Sequence, residues 1–138
     1  MSRDLQWLVI RKSSSYLLKS KTATFTKEPF NLMGKNSYKY NGLVNKQAID
    51  IRPDPAGKGA IVSVKNRRRH HRPVVSAYSY PLLRGSRRAI RTLKQQGIVR
   101  CYRADLTDAA VRRTCAIYRS QRPTSGVQKR RSRKKRAQ

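Results

Sequence analysis

The sequence predicts an α+β fold: an antiparallel β-sheet packed by an N-terminal helix and two C-terminal helices, with a basic C-terminal tail that is disordered when free. Two observations support it. Three β-like segments joined by short loops follow one another between residues 46 and 80, and helical periodicity precedes and follows them. Because parallel strands need long crossovers, closely spaced strands favour an antiparallel meander. A chain of 138 residues can build one modest core. We expect one α+β domain over residues 1–122 and an extension over 123–138.

The first helix is predicted over residues 2–12. Ser2 is the predicted N-cap, because a serine hydroxyl accepts a hydrogen bond from a first-turn amide. Asp4 lies where the helix dipole favours negative charge. Apolar residues occupy a wide arc of this helix, namely Leu5, Trp7, Leu8, Val9 and Ile10. So wide an arc is typical of a helix that is largely buried.

Residues 16–45 contain few regular patterns. A short strand is predicted at 16–19, and prolines and glycines interrupt any longer periodicity between residues 20 and 45. Tyr38 and Tyr40 alternate with polar neighbours, which predicts another short strand before the turn at Asn41.

Three further strands are predicted at residues 46–51, 60–64 and 74–80. Alternation places Ile49 and Ile51 on one face of the first strand, and Val62 and Val64 on one face of the second. The arginine-histidine block between the second and third strands therefore lies at the tip of a hairpin.

Two C-terminal helices are predicted at 82–96 and 105–121. At about 100° per residue, the first helix has an apolar arc that contains Leu83, Ala89, Ile90 and Leu93. A basic stripe on the other side consists of Arg84, Arg87, Arg88, Arg91 and Lys94. Asp105 is the predicted N-cap of the second helix. Its predicted core residues are Leu106, Ala110, Ile117 and Tyr118.

The charge of the chain favours a polyanionic partner. It has 34 Lys and Arg residues against 6 Asp and Glu, a net charge of +28. The excess is +6 in residues 1–50, +12 in 51–100 and +10 in 101–138. A domain with this imbalance repels itself unless a polyanion neutralises it. Nucleic acid presents negative charge at the required density, and charge spread over the whole chain is typical of a protein embedded in RNA.

Four groups of residues are predicted to bind RNA. The first is the hairpin tip, with Arg67, Arg68, Arg69, His70, His71 and Arg72. The second is the basic stripe, which lacks the mixed signs of an ordinary exposed face. The third contains Tyr38, Lys39 and Tyr40, whose rings either stack on unpaired bases or pack into the core. The fourth is the tail, with Lys129, Arg130, Arg131, Arg133, Lys134, Lys135 and Arg136.

Metal binding and catalysis have little support in the sequence. A zinc site needs about four nitrogen or sulfur ligands. His70 and His71 are adjacent, so their side chains diverge, and Cys101 and Cys115 lie too far apart for a Cys-x-x-Cys pair. The six carboxylates do not supply the convergent acids that two-metal phosphodiester chemistry needs. No metal, cofactor or catalytic residue is therefore expected. The two cysteines are expected to be reduced thiols.

Several stretches together carry a family resemblance: LQWLVIR (5–11), KEPFNL (27–32), NSYKYNGL (36–43), GKG (57–59), and the segment 105–123 with Asp105-Leu106, Ala109-Ala110, Arg112-Arg113 and Arg119-Ser120-Gln121. On these stretches the chain resembles, from end to end, the family of large-subunit ribosomal protein number twenty-eight of the eukaryotic cytosolic ribosome. The arginine-histidine loop and the segment 81–100 are not part of this resemblance.

The resemblance implies a non-catalytic protein on the solvent side of the large ribosomal subunit. Its implied partners are large-subunit ribosomal RNA and neighbouring large-subunit ribosomal proteins, with no membrane and no small-molecule substrate. It implies a place on the cytosolic ribosome, reached through the nucleus and nucleolus during assembly. Two alternatives remain at this point: a nucleolar ribosome-assembly factor and, as the weaker alternative, a DNA-binding protein.

Overall fold

The computed structural model describes residues 2–69, 72, 75–95 and 99–122 and confirms the α+β class. In chain order its elements are α1 (Arg3–Ile10), β1 (Leu17–Lys19), β2 (Thr24–Thr26), β3 (Ile49–Pro53), β4 (Ala60–Lys65), β5 (Ala77–Leu82), α2 (Ser86–Gln95), α3 (Arg100–Arg103), a 3₁₀ turn (Ala104–Leu106) and α4 (Thr107–Ser120). The predicted start of the third strand at Val74 and the tail 124–138 lie outside the described residues.

The central sheet is an antiparallel meander in the order β3-β4-β5, as predicted. Val62 and Val64 of β4 pair with Ile51 and Ile49 of β3, so all four side chains point to the same face. All four are buried. Strand β5 pairs with the whole length of β4 and ends two residues later than the predicted strand.

The core combines that face of the sheet with the C-terminal helices. Helix α4 packs on β3, β4 and α2. The helical and loop residues buried in this core are Leu32, Ala89, Leu93, Val99, Leu106, Ala109, Ala110 and Ile117. Tyr118 packs against the core from its margin. The four residues predicted for the core face of the last helix therefore all contact the core, because one side of α4 covers the sheet.

Helix α1 is exposed, which contradicts the prediction that it would be largely buried. Leu5, Leu8 and Val9 are 53%, 61% and 63% exposed. The helix contacts the rest of the chain through another side, where the Trp7 ring lies 5.8 Å from the Tyr38 ring between centroids. An apolar arc shows which side chains favour burial, but here the contacts of Trp7 and Asp4 with Tyr38 decide which side is covered.

Two helix starts differ from the prediction. Helix α2 begins at Ser86, and Leu83, predicted for the core face, precedes the helix and is 64% exposed. Helix α4 begins at Thr107 without a side-chain cap. Asp105 is therefore not its N-cap, because its carboxylate binds the Arg103 guanidinium instead. The predicted cap of α1 is confirmed: the Ser2 hydroxyl accepts a hydrogen bond from a backbone N–H at 3.3 Å.

The first of the two short strands predicted between residues 16 and 45 is confirmed and the second is wrong. Strand β1 pairs with β2 in a small antiparallel hairpin. Residues 38–40 form a turn, in which the backbone N–H groups of Tyr40 and Asn41 both donate to the Ser37 carbonyl, at 3.1 and 2.9 Å. This turn satisfies locally the backbone groups that a strand would have needed to pair with a neighbour.

Candidate nucleic-acid interface

Most of the six carboxylates are either buried or hydrogen-bonded to another side chain of the protein. Glu28 and Asp50 are each 8% exposed. Asp105 accepts a hydrogen bond from Arg103 at 2.6 Å, and this hydrogen bond holds the pKa of Asp105 below its ordinary value of 3.8. Asp4 accepts a hydrogen bond from a tyrosine hydroxyl at 2.9 Å. Within the part of the chain that the structure describes, few acids are therefore left to oppose the exposed basic side chains.

The β4–β5 connection holds arginines out into solvent. It is closed at its base by the Asn66 N–H, which donates to the Ser76 carbonyl at 2.6 Å. Its described basic residues, all exposed, are Arg67, Arg68, Arg69 and Arg72. His70 and His71 lie outside the described residues. The hairpin placement predicted for this block is confirmed, and RNA contact by its side chains stays a prediction.

The five side chains of the basic stripe are exposed together along α2 and the residue pair before it. Ala89 and Leu93, on the core side of the helix, are 2% and 0% exposed. Within the described residues, no guanidinium or ammonium group of the stripe forms an ion pair with a carboxylate. Arg91 instead donates to the side-chain oxygen of Gln95 at 2.7 Å. The stripe is thus a cationic surface without internal neutralisation.

Tyr38, Lys39 and Tyr40 have intramolecular contacts. The Tyr38 hydroxyl donates to Asp4 Oδ1 at 2.9 Å, and this bond raises the pKa of Tyr38 above its ordinary value of 10.0. The Tyr38 ring contacts Trp7. Tyr40 packs at the margin of the core, with Lys39 Nζ 5.6 Å from its ring centroid. Of the two alternatives for these rings, the geometry provides packing contacts, and base stacking stays a prediction.

A buried polar network that the sequence reasoning missed holds the irregular segment 26–45. Glu28 accepts hydrogen bonds from the side-chain amides of Asn31 and Asn41, each at 2.7 Å, and from the Gly42 N–H at 3.3 Å. Lys65 Nζ donates to the Gly42 carbonyl. Burial raises the pKa of Glu28 and lowers the pKa of Lys65. The signal in the sequence was a lone acid followed by several asparagines.

Two further clamps join segments that are distant in sequence. The side-chain amide of Gln121 accepts a hydrogen bond from the Gly59 N–H at 2.8 Å and donates to the Gly59 carbonyl at 2.7 Å. Arg103 donates to the backbone carbonyls of Lys39 and Gln47 at 3.1 and 3.2 Å. The stretches GKG (57–59) and 119–121, which carry part of the family resemblance, therefore meet in the fold.

The described part of the chain holds no group of His, Cys, Asp or Glu residues suited to a metal ion. Its helices are also too short or too polar to cross a bilayer. Cys101 and Cys115 are free and exposed. The predicted RNA-binding residues of the tail, 129–136, lie outside the described residues.

Comparison with known proteins adds an independent finding. The Ribosomal L28e protein family matches residues 5–120. Over 132 residues the chain is 38% identical to the large ribosomal subunit protein eL28 of Caenorhabditis elegans, covering 94% of this chain and 98% of that protein. The protein of the same name from Schizosaccharomyces pombe is 28% identical, with 92% and 98% covered. The one from Dictyostelium discoideum is 45% identical over 51 residues, with 37% and 39% covered.

Proposed function

The chain belongs to the Ribosomal L28e protein family, and we propose that it is a structural constituent of the large ribosomal subunit whose basic surfaces bind folded ribosomal RNA through phosphate contacts. Membership of a family of ribosomal proteins identifies it as a structural protein and not an enzyme. The observation that supports the RNA contact is the basic stripe along α2 and just before it, where five exposed cations have no carboxylate partner among the described residues.

The stripe fits a phosphate backbone for electrostatic reasons. Like charges three and four residues apart on a helix repel one another. This repulsion raises the free energy of the unbound protein, and bound phosphates remove it. Each neutralised phosphate also releases condensed counterions, which supplies free energy and makes binding steeply salt-dependent. Arginine guanidinium groups bind phosphate oxygens in a bidentate manner. Such contacts position a protein on folded RNA by charge and shape more than by base sequence.

Neighbouring large-subunit proteins are the second class of partner in this proposal. The exposed Leu5, Leu8 and Val9 of α1 form an aliphatic face that phosphates cannot cover favourably. Clustered exposed apolar side chains are typical of protein contact sites. We assign the aliphatic face of α1 to protein contact and the basic stripe to RNA contact. The proposed location is the cytosolic ribosome, with passage through the nucleus and nucleolus during assembly.

The RNA proposal is tested by neutralising the stripe. The variant Arg87→Gln/Arg88→Gln/Arg91→Gln is compared with a matched control, Lys12→Gln/Lys19→Gln/Lys21→Gln, whose positions are also exposed. Affinity for a folded large-subunit ribosomal RNA fragment is measured over a salt series. We expect the stripe variant to lower the slope of log affinity against log salt by about 2–3, because about one unit is lost per phosphate contact. Equal slopes for the two variants would exclude the stripe as the RNA surface.

Two measurements separate the alternatives. Sedimentation of a cell extract is expected to place the chain in translating polysomes, and its absence there would favour an assembly factor. Competition between the ribosomal RNA fragment and duplex DNA of equal length is expected to favour the RNA. A preference for the duplex DNA would overturn the ribosomal RNA proposal.

A further inference from the structure

A cavity lined by three tyrosines lies at the β5 edge of the sheet. Its volume is about 280 Å³, and its walls include Tyr78, Tyr80 and Tyr102, with Val64 and Arg67 beside them. Tyr78 and Tyr80 are 48% and 43% exposed, although they lie on the same sheet face as the buried valines of β4. The C-terminal helices therefore leave this part of the core face open, and aromatic rings line the opening.

The spacing of the two exposed tyrosines suits a planar guest. Tyr78 and Tyr80 pair with Val64 and Val62, so both project from one face of β5. Residues two apart on a strand are separated by about 6.8 Å. That distance is about twice the roughly 3.4 Å spacing of stacked bases, so the backbone spacing of the two tyrosines matches the insertion of one base between their side chains. Base–aromatic stacking contributes about 1–3 kcal/mol per base to the binding of unpaired nucleotides.

The polar groups around the cavity orient the rings. The Asn66 side-chain amide donates to the Tyr78 hydroxyl oxygen at 2.9 Å, which leaves the hydroxyl hydrogen of Tyr78 to donate outward. The Tyr102 hydroxyl donates to the Lys65 carbonyl at 2.6 Å, so that ring is held in place at the cavity wall. A tyrosine O–H that faces outward beside a stacking surface can donate to a carbonyl oxygen or ring nitrogen of a base.

A second, polar cavity adjoins the first. Its volume is about 460 Å³, and it is lined by Arg3, Lys46, Gln47 and Arg67. Arg67 lines both cavities. Three cations from separate parts of the chain meet here, and the described lining residues include no carboxylate. Converging cations of this kind favour an anion, and phosphate oxygens match the arginine fork.

We propose that the two cavities together bind one unstacked RNA nucleotide. Its base stacks between Tyr78 and Tyr80, and its flanking phosphates lie against Arg3, Lys46 and Arg67. This inference rests on the proposed RNA-binding function and extends it from phosphate contacts to recognition of a single-stranded or bulged position. Duplex RNA does not satisfy the site, because a paired base cannot enter between the rings.

The test separates base stacking from charge. The full chain is titrated with an adenosine RNA 10-mer and with an abasic 10-mer of the same ribose-phosphate backbone. Wild type is expected to bind the adenosine oligomer about 10-fold more tightly. Tyr78→Leu and Tyr80→Leu are expected to remove that preference and leave abasic binding unchanged. Tyr80→Phe retains the ring and is expected to keep the preference, as is the control Tyr16→Leu, since Tyr16 is an exposed tyrosine outside the cavity.

The charged residues of the site are tested separately, through the affinity for both oligomers and its salt dependence. Arg3→Gln and Lys46→Gln are expected to weaken binding of both oligomers and to lower the salt slope by about 0.7 each. Equal, salt-dependent binding of the two oligomers by wild type would overturn the nucleotide site and leave the proposed RNA binding standing. Loss of the preference in Tyr16→Leu as well would also overturn it. Failure of wild type to bind either oligomer or the ribosomal RNA fragment would overturn both proposals.

Discussion

Replacing Glu28 with glutamine tests whether a buried carboxylate organises the segment 26–45. The carboxylate is acceptor-only and receives hydrogen bonds from Asn31, Asn41 and Gly42. Glutamine has one acceptor oxygen and one donor NH₂. If its oxygen keeps the partners of Oε1, its NH₂ group faces the donor NH₂ of Asn41. Glu28→Gln therefore changes no volume and places two donors against each other.

The surroundings do not permit Asn41 to reverse its amide. Asn41 Oδ1 accepts hydrogen bonds from the Leu43 and Val44 N–H groups, at 3.0 and 2.8 Å, and both would be lost on reversal. A hydrogen bond to a charged group contributes about 1.5–3 kcal/mol, and a buried donor left unsatisfied costs about 1–3 kcal/mol. Lys65, half-buried beside the network, would also lose the nearby negative charge. We expect Glu28→Gln to lower the free energy of unfolding by about 3 kcal/mol.

Urea and thermal unfolding followed by circular dichroism measure this change. For a chain of this length about 3 kcal/mol corresponds to a fall in Tm of about 10 °C. The matched control is Asp108→Asn, the same carboxylate-to-amide change at an exposed helix position, for which we expect at most about 0.5 kcal/mol. If the two variants unfold at the same urea concentration, the carboxylate does not organise this segment.

The pH dependence tests the opposing effect of burial on Glu28, which the hydrogen bonds to its carboxylate only partly offset. Burial is the largest influence on Glu28 and raises its pKa in the folded protein above the ordinary 4.5. The folded state then binds this proton more tightly than the unfolded state, so stability falls as pH rises from 4.5 through the folded pKa. Glu28→Gln lacks this titration. The stability advantage of wild type over the variant is therefore expected to be largest in acid and to shrink across that window.

Three further predictions concern positions outside this carboxylate. Gly42→Ala is expected to lower the free energy of unfolding by about 3 kcal/mol or more, because a Cβ there would lie 2.0 Å from the Pro29 carbonyl oxygen; an unchanged Tm would contradict this contact. Gln121→Ala removes both hydrogen bonds to Gly59, and we expect a loss of about 1–2 kcal/mol with faster hydrogen exchange at the Gly59 amide; protection equal to wild type would exclude the clamp. Asp105→Asn removes a carboxylate whose pKa its arginine partner lowers below 3.8. Its ionised form stabilises the fold above that pH, and this contribution is lost as pH falls through the folded pKa. The stability difference between wild type and Asp105→Asn is thus expected at pH 7 and should vanish in strong acid; a difference that persists there would refute the ion-pair explanation.

The candidate RNA surface was predicted from sequence where it depends on local order and charge. The separation of the basic stripe from Ala89 and Leu93 follows from the helical period, which neighbouring residues determine. The hairpin position of the arginine block follows from the strands on either side of it. The tyrosine cavity was not predicted, because the sequence of β5 does not show that the helices leave Tyr78 and Tyr80 uncovered.

The sequence by itself determined the excess of positive charge, the succession of α1, the antiparallel meander, α2 and α4, and the buried face of β3 and β4. These features depend on composition and on periods of two or about 3.6 residues, which are complete within a few neighbours. Only the tertiary structure decided that α1 keeps its aliphatic face exposed and that Glu28 is buried. It also decided that Gln121 binds Gly59, 62 residues away. A buried polar group needs a partner, and which distant segment supplies that partner is settled only when the whole chain packs.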